Sequence, residues 1–354
     1  MAKIISASLI WGLMLIPVIA ALSPEHVDSE HSYTSPDERL LIEVVPQKAQ
    51  QRDIQATFGD FNAWSIDQEE GFLYHPIAIE VDINEEVYVL DYSDHVVKRY
   101  TSEGALLHRY GHGPGQGPGE TGNPTDFALA PDQKGVFIND EQGRKVEFFA
   151  VNDGHVSTIH INHPAWRIAA IHNGRINAAF GSGADHMISV ADKQTGDFLQ
   201  VSPPVIRETH YNVKALVGET AAVQDQIIHV PHYGGLIFSY SLSEGEYTYV
   251  TEQVNPPPLP TVERTEINGA VSVGLPYSEL NHRNLSVHVD EYSIYILVYR
   301  DDQGKSHFYI DTYDLDSGTY RHSYALGQGF RDFAVGDGSL FFVDEERVYH
   351  TSYE

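Results

Sequence analysis

The fold is decided by a stretch of short apolar segments and turns in the first third of the chain. Residues 87–120 read VYVLDYSDHVVKRYTSEGALLHRYGHGPGQGPGE. Its apolar or alternating runs are separated by Tyr92-Ser93-Asp94 and Ser102-Glu103-Gly104, whose residue types favour tight turns. The loop Gly111–Glu120 follows, and its five glycines and two prolines exclude a helix or an interior strand. The pattern predicts an antiparallel meander and a crossing to the next unit.

The same layout recurs along the chain, with a period of about 40 residues. We count five units of four short strands and a last unit of three strands, Phe333–Tyr353. Such repeats are typical of the blades of a β-propeller. The last unit needs a fourth strand from the amino-terminal side, either Leu40–Val45 or one within Ile54–Ile66. We therefore predict an all-β, six-bladed β-propeller over residues 40–354, closed by an N-terminal strand that joins the last blade.

The amino terminus has the composition of an export signal. Lys3 precedes the apolar run Ile4–Ile19, and small residues at its end offer a cleavage site. A membrane anchor is the alternative, because the run is only just long enough to span a bilayer. Pro17 and the small residues after it favour cleavage. We predict a signal peptide over residues 1–21, a flexible arm over residues 22–39, and a periplasmic or secreted protein without stable membrane insertion.

Charge and cysteine content exclude several classes of function. The net charge is -28, with 50 acidic against 22 basic residues. Such a surface repels nucleic acid and anionic membranes, so we expect neither as a partner. The chain has no cysteine, which excludes disulfides, thiolate metal ligands and a cysteine nucleophile. We interpret the acidity as a solvated surface, with attraction of cations or basic ligands as the alternative.

One part of the sequence resembles a known family. Val87–Asp91, a basic strand ending at Tyr100, the turn Glu103-Gly104 and the loop Gly115–Glu120 follow one another in this order. This arrangement resembles the bacterial six-bladed β-propeller family related to NHL-repeat propellers. The resemblance implies the fold and export, while the biochemical role of that family is mostly unassigned. Many of its members carry a lipid-anchor cysteine, which this chain lacks.

Histidines are abundant, 19 in all, and some lie just before the first strand of a unit. His75, His163 and His282 have this position, so superposed blades bring them to one mouth of the central channel. Three imidazoles suit Zn²⁺ or another divalent metal, and the resemblance adds that some relatives of NHL propellers are lyases with a His-bound metal in such a place. The alternative is that these histidines cap strand ends. Four others could replace any of the three: His186, His210, His229 and His232.

Acidic pairs follow the second strand of three units: Asp91 with Asp94, Asp140 with Glu141, and Asp344 with Glu345. Carboxylates that ring a channel mouth could bind Ca²⁺. An aspartate after a strand also forms an Asx turn, and we favour the turn because no EF-hand spacing is present.

The glycine-rich loop lacks the helix and the Lys-Ser/Thr spacing of a phosphate-binding loop. We interpret it as a crossing between two blades, in which Glu120 accepts backbone N–H groups. Its place on the ring face also makes it a candidate edge of a binding site. The candidate ligand-binding residues are His75, His112, Glu120, Trp166 and Arg99.

The propeller fold carries many functions, so the architecture alone does not choose among them. We favour a non-catalytic binding or scaffold module that holds a peptide, glycan or protein with the loops of one face and the channel mouth. The alternative is a metal-dependent lyase or hydrolase built on channel histidines, which leaves enzymatic activity open. No motif identifies the ligand, or a choice between zinc and calcium.

Overall fold

The computed structural model describes residues 41–64, 71–151, 154–161, 164–172, 175–180, 186–192, 198–202, 205–206, 213–257, 263–267, 270–274 and 282–353. Strands dominate these residues, and a short 3-10 helix spans Val213–Leu216. No helix in the described part of the chain is long and apolar enough to cross a membrane. Four short strands come first: β1 (Leu41–Ile42), β2 (Val44–Val45), β3 (Ile54–Phe58) and β4 (Asn62–Ala63).

The next three sheets each contain four antiparallel strands and form blades 1 to 3. Blade 1 contains β5 (Pro76–Val81), β6 (Val87–Asp91), β7 (Val96–Tyr100) and β8 (Leu106–Tyr110). Blade 2 contains β9 (Pro124–Leu129), β10 (Gly135–Asp140), β11 (Lys145–Ala150) and β12 (Gly154–His160). Blade 3 contains β13 (Ala165–Ile171), β14 (Arg175–Phe180), β15 (Ile188–Asp192) and β16 (Phe198–Val201).

The remaining strands form blades 4 to 6 and two small accessory pairs. After β17 (Val205–Ile206), blade 4 contains β18 (Gly218–Val223), β19 (Gln226–Pro231), β20 (Leu236–Ser241) and β21 (Glu246–Glu252). A hairpin follows, made of β22 (Glu263–Ile267) and β23 (Ala270–Gly274). Blade 5 contains β24 (His282–Val289), β25 (Ser293–Asp302), β26 (Lys305–Asp314) and β27 (Tyr320–Leu326). Blade 6 contains β28 (Asp332–Val335), β29 (Ser339–Val343) and β30 (Val348–Ser352).

The first strand of every blade lies innermost in a ring. Strands β5, β9, β13, β18, β24 and β28 contact one another in turn, and β28 contacts β5 again. Apolar side chains fill the spaces between blades, as where Tyr88 and Leu90 of blade 1 pack with Phe127 and Ile138 of blade 2. The prediction of an all-β, six-bladed propeller is confirmed.

Residues 41–63, the rim segment, run along the outer edges of several blades. Strand β1 pairs with β17, β2 adds to β21 of blade 4, and β3 adds to β27 of blade 5, all in parallel. Strand β4 pairs antiparallel with β30 and supplies the fourth strand of blade 6. Of the two predicted closing strands, the one within Ile54–Ile66 therefore closes the ring, and Leu40–Val45 pairs with earlier parts of it.

Trp64 completes the joint between blades 6 and 1. Its backbone N–H donates to the carbonyl of Val348 at 3.0 Å. Its side chain is 8% exposed, and its ring centroid lies 5.4 Å from that of Tyr100 and 6.4 Å from that of Phe341. Gly104, at a φ of 90°, brings a turn of blade 1 against this indole, where a Cβ would lie 3.0 Å from the ring. The indole thus packs between residues of the first and last blades.

Candidate ligand-binding site at the channel mouth

Carboxylates on the innermost strands join successive blades across the channel wall. The inner edge of each first strand exposes N–H groups that no further strand pairs with. Asp332 accepts such an N–H from β5, Glu80 accepts one from β9, and Asp126 accepts one from β13, each at 2.9 Å. Blades 6, 1, 2 and 3 are therefore linked in order by side chains that reach from one blade to the next.

Burial raises the pKa of these acids. Desolvation, together with the nearby charges of Asp126 and Asp332, raises the pKa of Glu80 to about 8. Burial also raises the pKa of Asp126 to about 7, although Arg167 acts in the opposite direction. The pKa of Asp332 is raised by burial as well. At neutral pH the channel wall is consequently less negative than its residues suggest, since Glu80 mostly keeps its proton.

Arg167, on β13, is the cation that faces these acids. Its Nε donates to Glu219 Oε2 at 2.5 Å, and its Nη1 donates to the carbonyl of Thr125 at 2.9 Å. Trp166 is the unpaired residue of a bulge between Ala165 and Arg167 in the pairing of β13 with β14. The Arg167 Cζ lies 5.9 Å from the centroid of the Trp166 ring. The bulge thus places an indole that is 39% exposed beside a guanidinium held in place by hydrogen bonds.

Two further arginines lie at the same end of the channel. Arg331 directly precedes β28, and its Nη1 is 2.9 Å from Nε2 of His75, which directly precedes β5. Arg283 is the second residue of β24, the neighbour of β28 in the ring. Burial lowers the pKa of Arg331, and the charges of Arg167 and Arg283 lower it further. Arg167, Arg283 and Arg331 thus lie at or just before the starts of β13, β24 and β28, at one end of the channel.

His75 and His232 are the imidazoles of this region. Burial and the charge of Arg331 lower the pKa of His75, so its Nε2 is an acceptor for that arginine at neutral pH. His232 follows β19, and its Nδ1 is 3.3 Å from both the carbonyl of Asn284 and Glu219 Oε1. Burial and then Arg283 lower the pKa of His232 to about 3, so this ring is also neutral.

First strands begin, and second strands end, at the same side of the ring, which brings these residues together. We call the group His75, Trp166, Arg167, His232, Arg283 and Arg331 the channel mouth. Exposed aromatic rings continue from it over blade 1: Phe72 is 48%, Tyr74 54% and Tyr92 36% exposed. The Tyr92 ring centroid is 5.5 Å from that of His75. Cationic groups and accessible aromatic faces thus share one side of the propeller.

Two of the candidate residues chosen from the sequence lie at this mouth, His75 and Trp166. The other three make local contacts elsewhere. Glu120 Oε2 accepts the N–H of Gly117 at 2.8 Å, which agrees with its expected role in the glycine loop. His112 follows β8, and its ring packs against Phe149 and His155 on the outer strands of blade 2. Arg99 is paired with Glu86 within blade 1.

The predicted metal ligands are only partly covered by the structure. His163 and the replacement candidate His210 lie outside the described residues, and of His282 only the backbone, at the start of β24, is described. Among the side chains that the structure does describe, no group of three His, Asp or Glu could hold a metal ion. His229 is buried with Nε2 2.7 Å from the carbonyl of Leu216. A Zn²⁺ or Ca²⁺ site stays a prediction.

The aspartates after second strands organise the loops that lead to the mouth. Asp91 accepts the N–H groups of Tyr74 at 2.9 Å and His75 at 3.0 Å, and its Oδ2 is 2.9 Å from Nζ of the fully buried Lys98. Asp140 accepts two backbone N–H groups of the corresponding loop of blade 2. Asp344 accepts two N–H groups of its own turn. The turn interpretation is confirmed for Asp344 and for Asp91, which accepts the N–H of Ser93 at 3.1 Å. Asp91 and Asp140 also fix the loop before the first strand of their blades, including the backbone of His75.

Sequence reasoning missed the three arginines of the mouth, together with Glu219. A signal was present in a chain with only 22 basic residues. Arg167 follows the predicted start of the third unit, and Arg283 and Arg331 each stand two residues before a predicted first strand. Basic side chains at similar places in several blades predict a cationic cluster in the same way that the histidines predict an imidazole cluster.

The buried acids and histidines predict a stability maximum at near-neutral pH. Glu80 and Asp126 have a raised pKa in the folded state, so their contribution is complete below pH about 4 and is lost as the pH rises through 7 to 8. His229 and His232 have a pKa lowered to about 4 and about 3, so stability is lost as the pH falls below about 6.5. We expect the highest melting temperature between pH 6 and 7, measured by calorimetry.

A glutamine at position 80 tests this assignment. Glu80→Gln keeps an oxygen for the N–H of Leu129 and removes the ionisation. We expect it to raise the melting temperature at pH 8.5 by about 2 to 4 °C and to flatten the alkaline side of the curve. The exposed Glu246→Gln is the matched control and should leave the curve unchanged. An unaltered alkaline side in Glu80→Gln would show that another group titrates there.

Solved structures of two bacterial proteins resemble this fold. No protein-family model matches the chain, and no curated protein does. One similar solved structure is that of a putative exported protein from Bacteroides fragilis NCTC 9343. The TM-score is 0.57 and the sequence identity 12%, and the match covers 89% of this chain and 100% of that one. A member of the DUF4221 family from Bacteroides vulgatus ATCC 8482 gives 0.56 at 11% identity, over 86% and 99%. The fold is shared.

Proposed function

We propose that this protein is an exported, non-catalytic binding module that holds a peptide, glycan or protein ligand at the channel mouth. The observation that carries the proposal is the convergence of His75, Arg167, His232 and two further arginines from five different blades. Side chains brought together from so many blades form a site only in the closed ring. Recognition sites combine a few placed polar groups with aromatic surface in this way.

The chemistry of the mouth favours binding over catalysis. The His75 Nε2 lone pair faces the Arg331 guanidinium at 2.9 Å, so this imidazole is not available as a base or a metal ligand. His232 is neutral, and its Nδ1 lies between Glu219 and a backbone carbonyl. Both rings are therefore occupied in holding charged neighbours in place. Guanidinium groups keep their charge and suit planar anions.

Export is supported by the composition of residues 1–21 and by the name of the structurally similar protein from Bacteroides fragilis. We expect the full chain, expressed in a Gram-negative host, to be recovered from the periplasm or medium without those residues. Intact-mass spectrometry of the recovered protein measures this. A full-length protein retained in the membrane fraction would favour the anchor instead.

Binding is tested by screening the mature protein against panels of labelled glycans and peptides. We expect at least one ligand class to bind, and Arg331→Gln to weaken that binding by about tenfold or more. Arg109→Gln, at an arginine that is 43% exposed on the outer strand β8, is the matched control and should bind normally. Binding that survives Arg331→Gln would place the site elsewhere, and the absence of any ligand in both panels would contradict the proposal.

A further inference from the structure

Of the three arginines at the channel mouth, only Arg167 forms an ion pair with a described carboxylate. Glu219 is paired with Arg167, whereas Arg331 faces a neutral imidazole. The Nε of Arg283 is buried and has no hydrogen-bond partner among the described residues. Cations held together without counter-charges are costly, because each loses water and repels the others. Among the described side chains, an anion that pairs directly with Arg283 or Arg331 is missing.

The acids nearby do not supply that anion. Asp332 is occupied by the hydroxyl of Ser286 and by two backbone N–H groups. Glu80 and Asp126 each accept an N–H of the next blade, and burial raises the pKa of both, so that their negative charge is reduced near neutral pH. The charge of Glu345 raises the pKa of Arg331, but this carboxylate is exposed to solvent and lies beyond ion-pair distance of the guanidinium. Arginines without a direct ion-pair partner among the described residues are thus grouped at the mouth of a chain whose net charge is -28.

The same surroundings set limits on the anion. A guanidinium group can donate two parallel hydrogen bonds to one carboxylate or phosphate group. Glu219 and the partly ionised Asp126 line the same space, and they repel a doubly charged phosphate more strongly than a singly charged carboxylate. A carboxylate is the better match to a mouth of mixed charge.

The surfaces beside the mouth favour a saccharide over an extended peptide. A peptide that adds to a sheet needs free N–H groups on an edge strand. On the inner edges of β5, β9 and β13, N–H groups are already taken by carboxylates. The accessible faces of Trp166, Tyr74 and Tyr92 are suited instead to the flat apolar side of a pyranose ring.

We infer that the channel mouth binds an acidic saccharide, whose carboxylate lies among Arg167, Arg283 and Arg331 while a sugar ring stacks on Trp166 or on the aromatic rings of blade 1. This inference rests on the proposed binding function and specifies its ligand class. Hydrogen bonds from Arg167 to Glu219 and Thr125 hold one guanidinium ready for the ligand. Such pre-positioning lowers the entropic cost of binding.

The inference is tested with a uronic-acid trisaccharide and the same trisaccharide after reduction of its carboxylates to alcohols. Calorimetric titration of the mature protein at pH 7 should show binding of the acid form that is at least about tenfold tighter than that of the reduced form. Arg331→Gln and Trp166→Ala should each weaken it by about tenfold, and Arg109→Gln should not. Equal affinity for both trisaccharides would overturn the carboxylate assignment.

The melting temperature of each variant distinguishes the loss of a ligand contact from the loss of the folded structure. Because burial and the charge of Arg167 lower the pKa of Arg331 despite the nearby acids, the folded state disfavours this charge, and Arg331→Gln should keep or raise the melting temperature while it weakens binding. A fall in melting temperature together with binding would indicate a structural role and contradict the inference. If an acidic peptide binds and the uronate does not, the saccharide is wrong while the binding function stands. If no ligand of any class binds, the proposed function fails as well.

Discussion

Asp91→Ala is expected to lower the free energy of unfolding by about 3 kcal/mol or more. The substitution leaves the ammonium of Lys98, which is completely buried, without its partner at 2.9 Å. It also removes the acceptor for the N–H groups of Tyr74 and His75. Asp94 still contacts Lys98 and keeps the loss from being larger. Since the loop before β5 is no longer fixed, binding at the mouth should weaken too.

Urea denaturation at pH 7 measures this loss. Asp132→Ala, at an exposed turn where the carboxylate also accepts a backbone N–H, is the matched control and should change stability by about 0.5 kcal/mol or less. The double variant Asp91→Asn with Lys98→Met removes both charges and should recover a large part of the stability. A stable Asp91→Ala would mean that Asp94 alone neutralises the lysine.

Trp64→Ala is expected to cost about 3 to 5 kcal/mol, because it opens a cavity at the joint of the ring. The indole packs between Tyr100 of blade 1 and Phe341 of blade 6, and a turn at Gly104 rests on it. Its loss weakens the attachment of β4, the strand that closes blade 6.

Trp166→Ala is the matched control for this prediction, since Trp166 is 39% exposed at the channel mouth. We expect it to change stability by less than about 1 kcal/mol. Hydrogen exchange at β4 and β30 should accelerate in Trp64→Ala and remain slow in Trp166→Ala. Similar losses in both variants would show that the joint at Trp64 is not special.

The fold could be predicted from the sequence because the residue patterns that specify it are local. The turns Tyr92-Ser93-Asp94 and Ser102-Glu103-Gly104 and the short apolar runs between them predict a meander residue by residue. Ring closure was less accessible to sequence reasoning. Strand β4 has two residues, too few for any periodicity, and its pairing with β30 depends on the whole ring being in place.

The site was harder to predict than the fold because its residues are distant in sequence. Arg167 and Arg331 belong to different blades, and only the ring brings their charges near each other. The glycine loop has a distinctive composition for a different reason. Its glycines accommodate the side chain of Glu120, which lies so close that a Cβ at Gly115 would be 2.0 Å from its Oε2. That composition reflects tight backbone packing and gives no information about the residues of the channel mouth.

The rim segment has a consequence for how the chain folds. Gln47 accepts the N–H of Tyr320, 273 residues later, and β4 cannot pair until β30 has been synthesised. The part of the propeller that leaves the ribosome early therefore finds its partners last. Contacts of such long range make folding slow. The joint between the first and last blades can therefore form only after the rest of the ring, so we expect β4 to acquire protection from hydrogen exchange late in refolding.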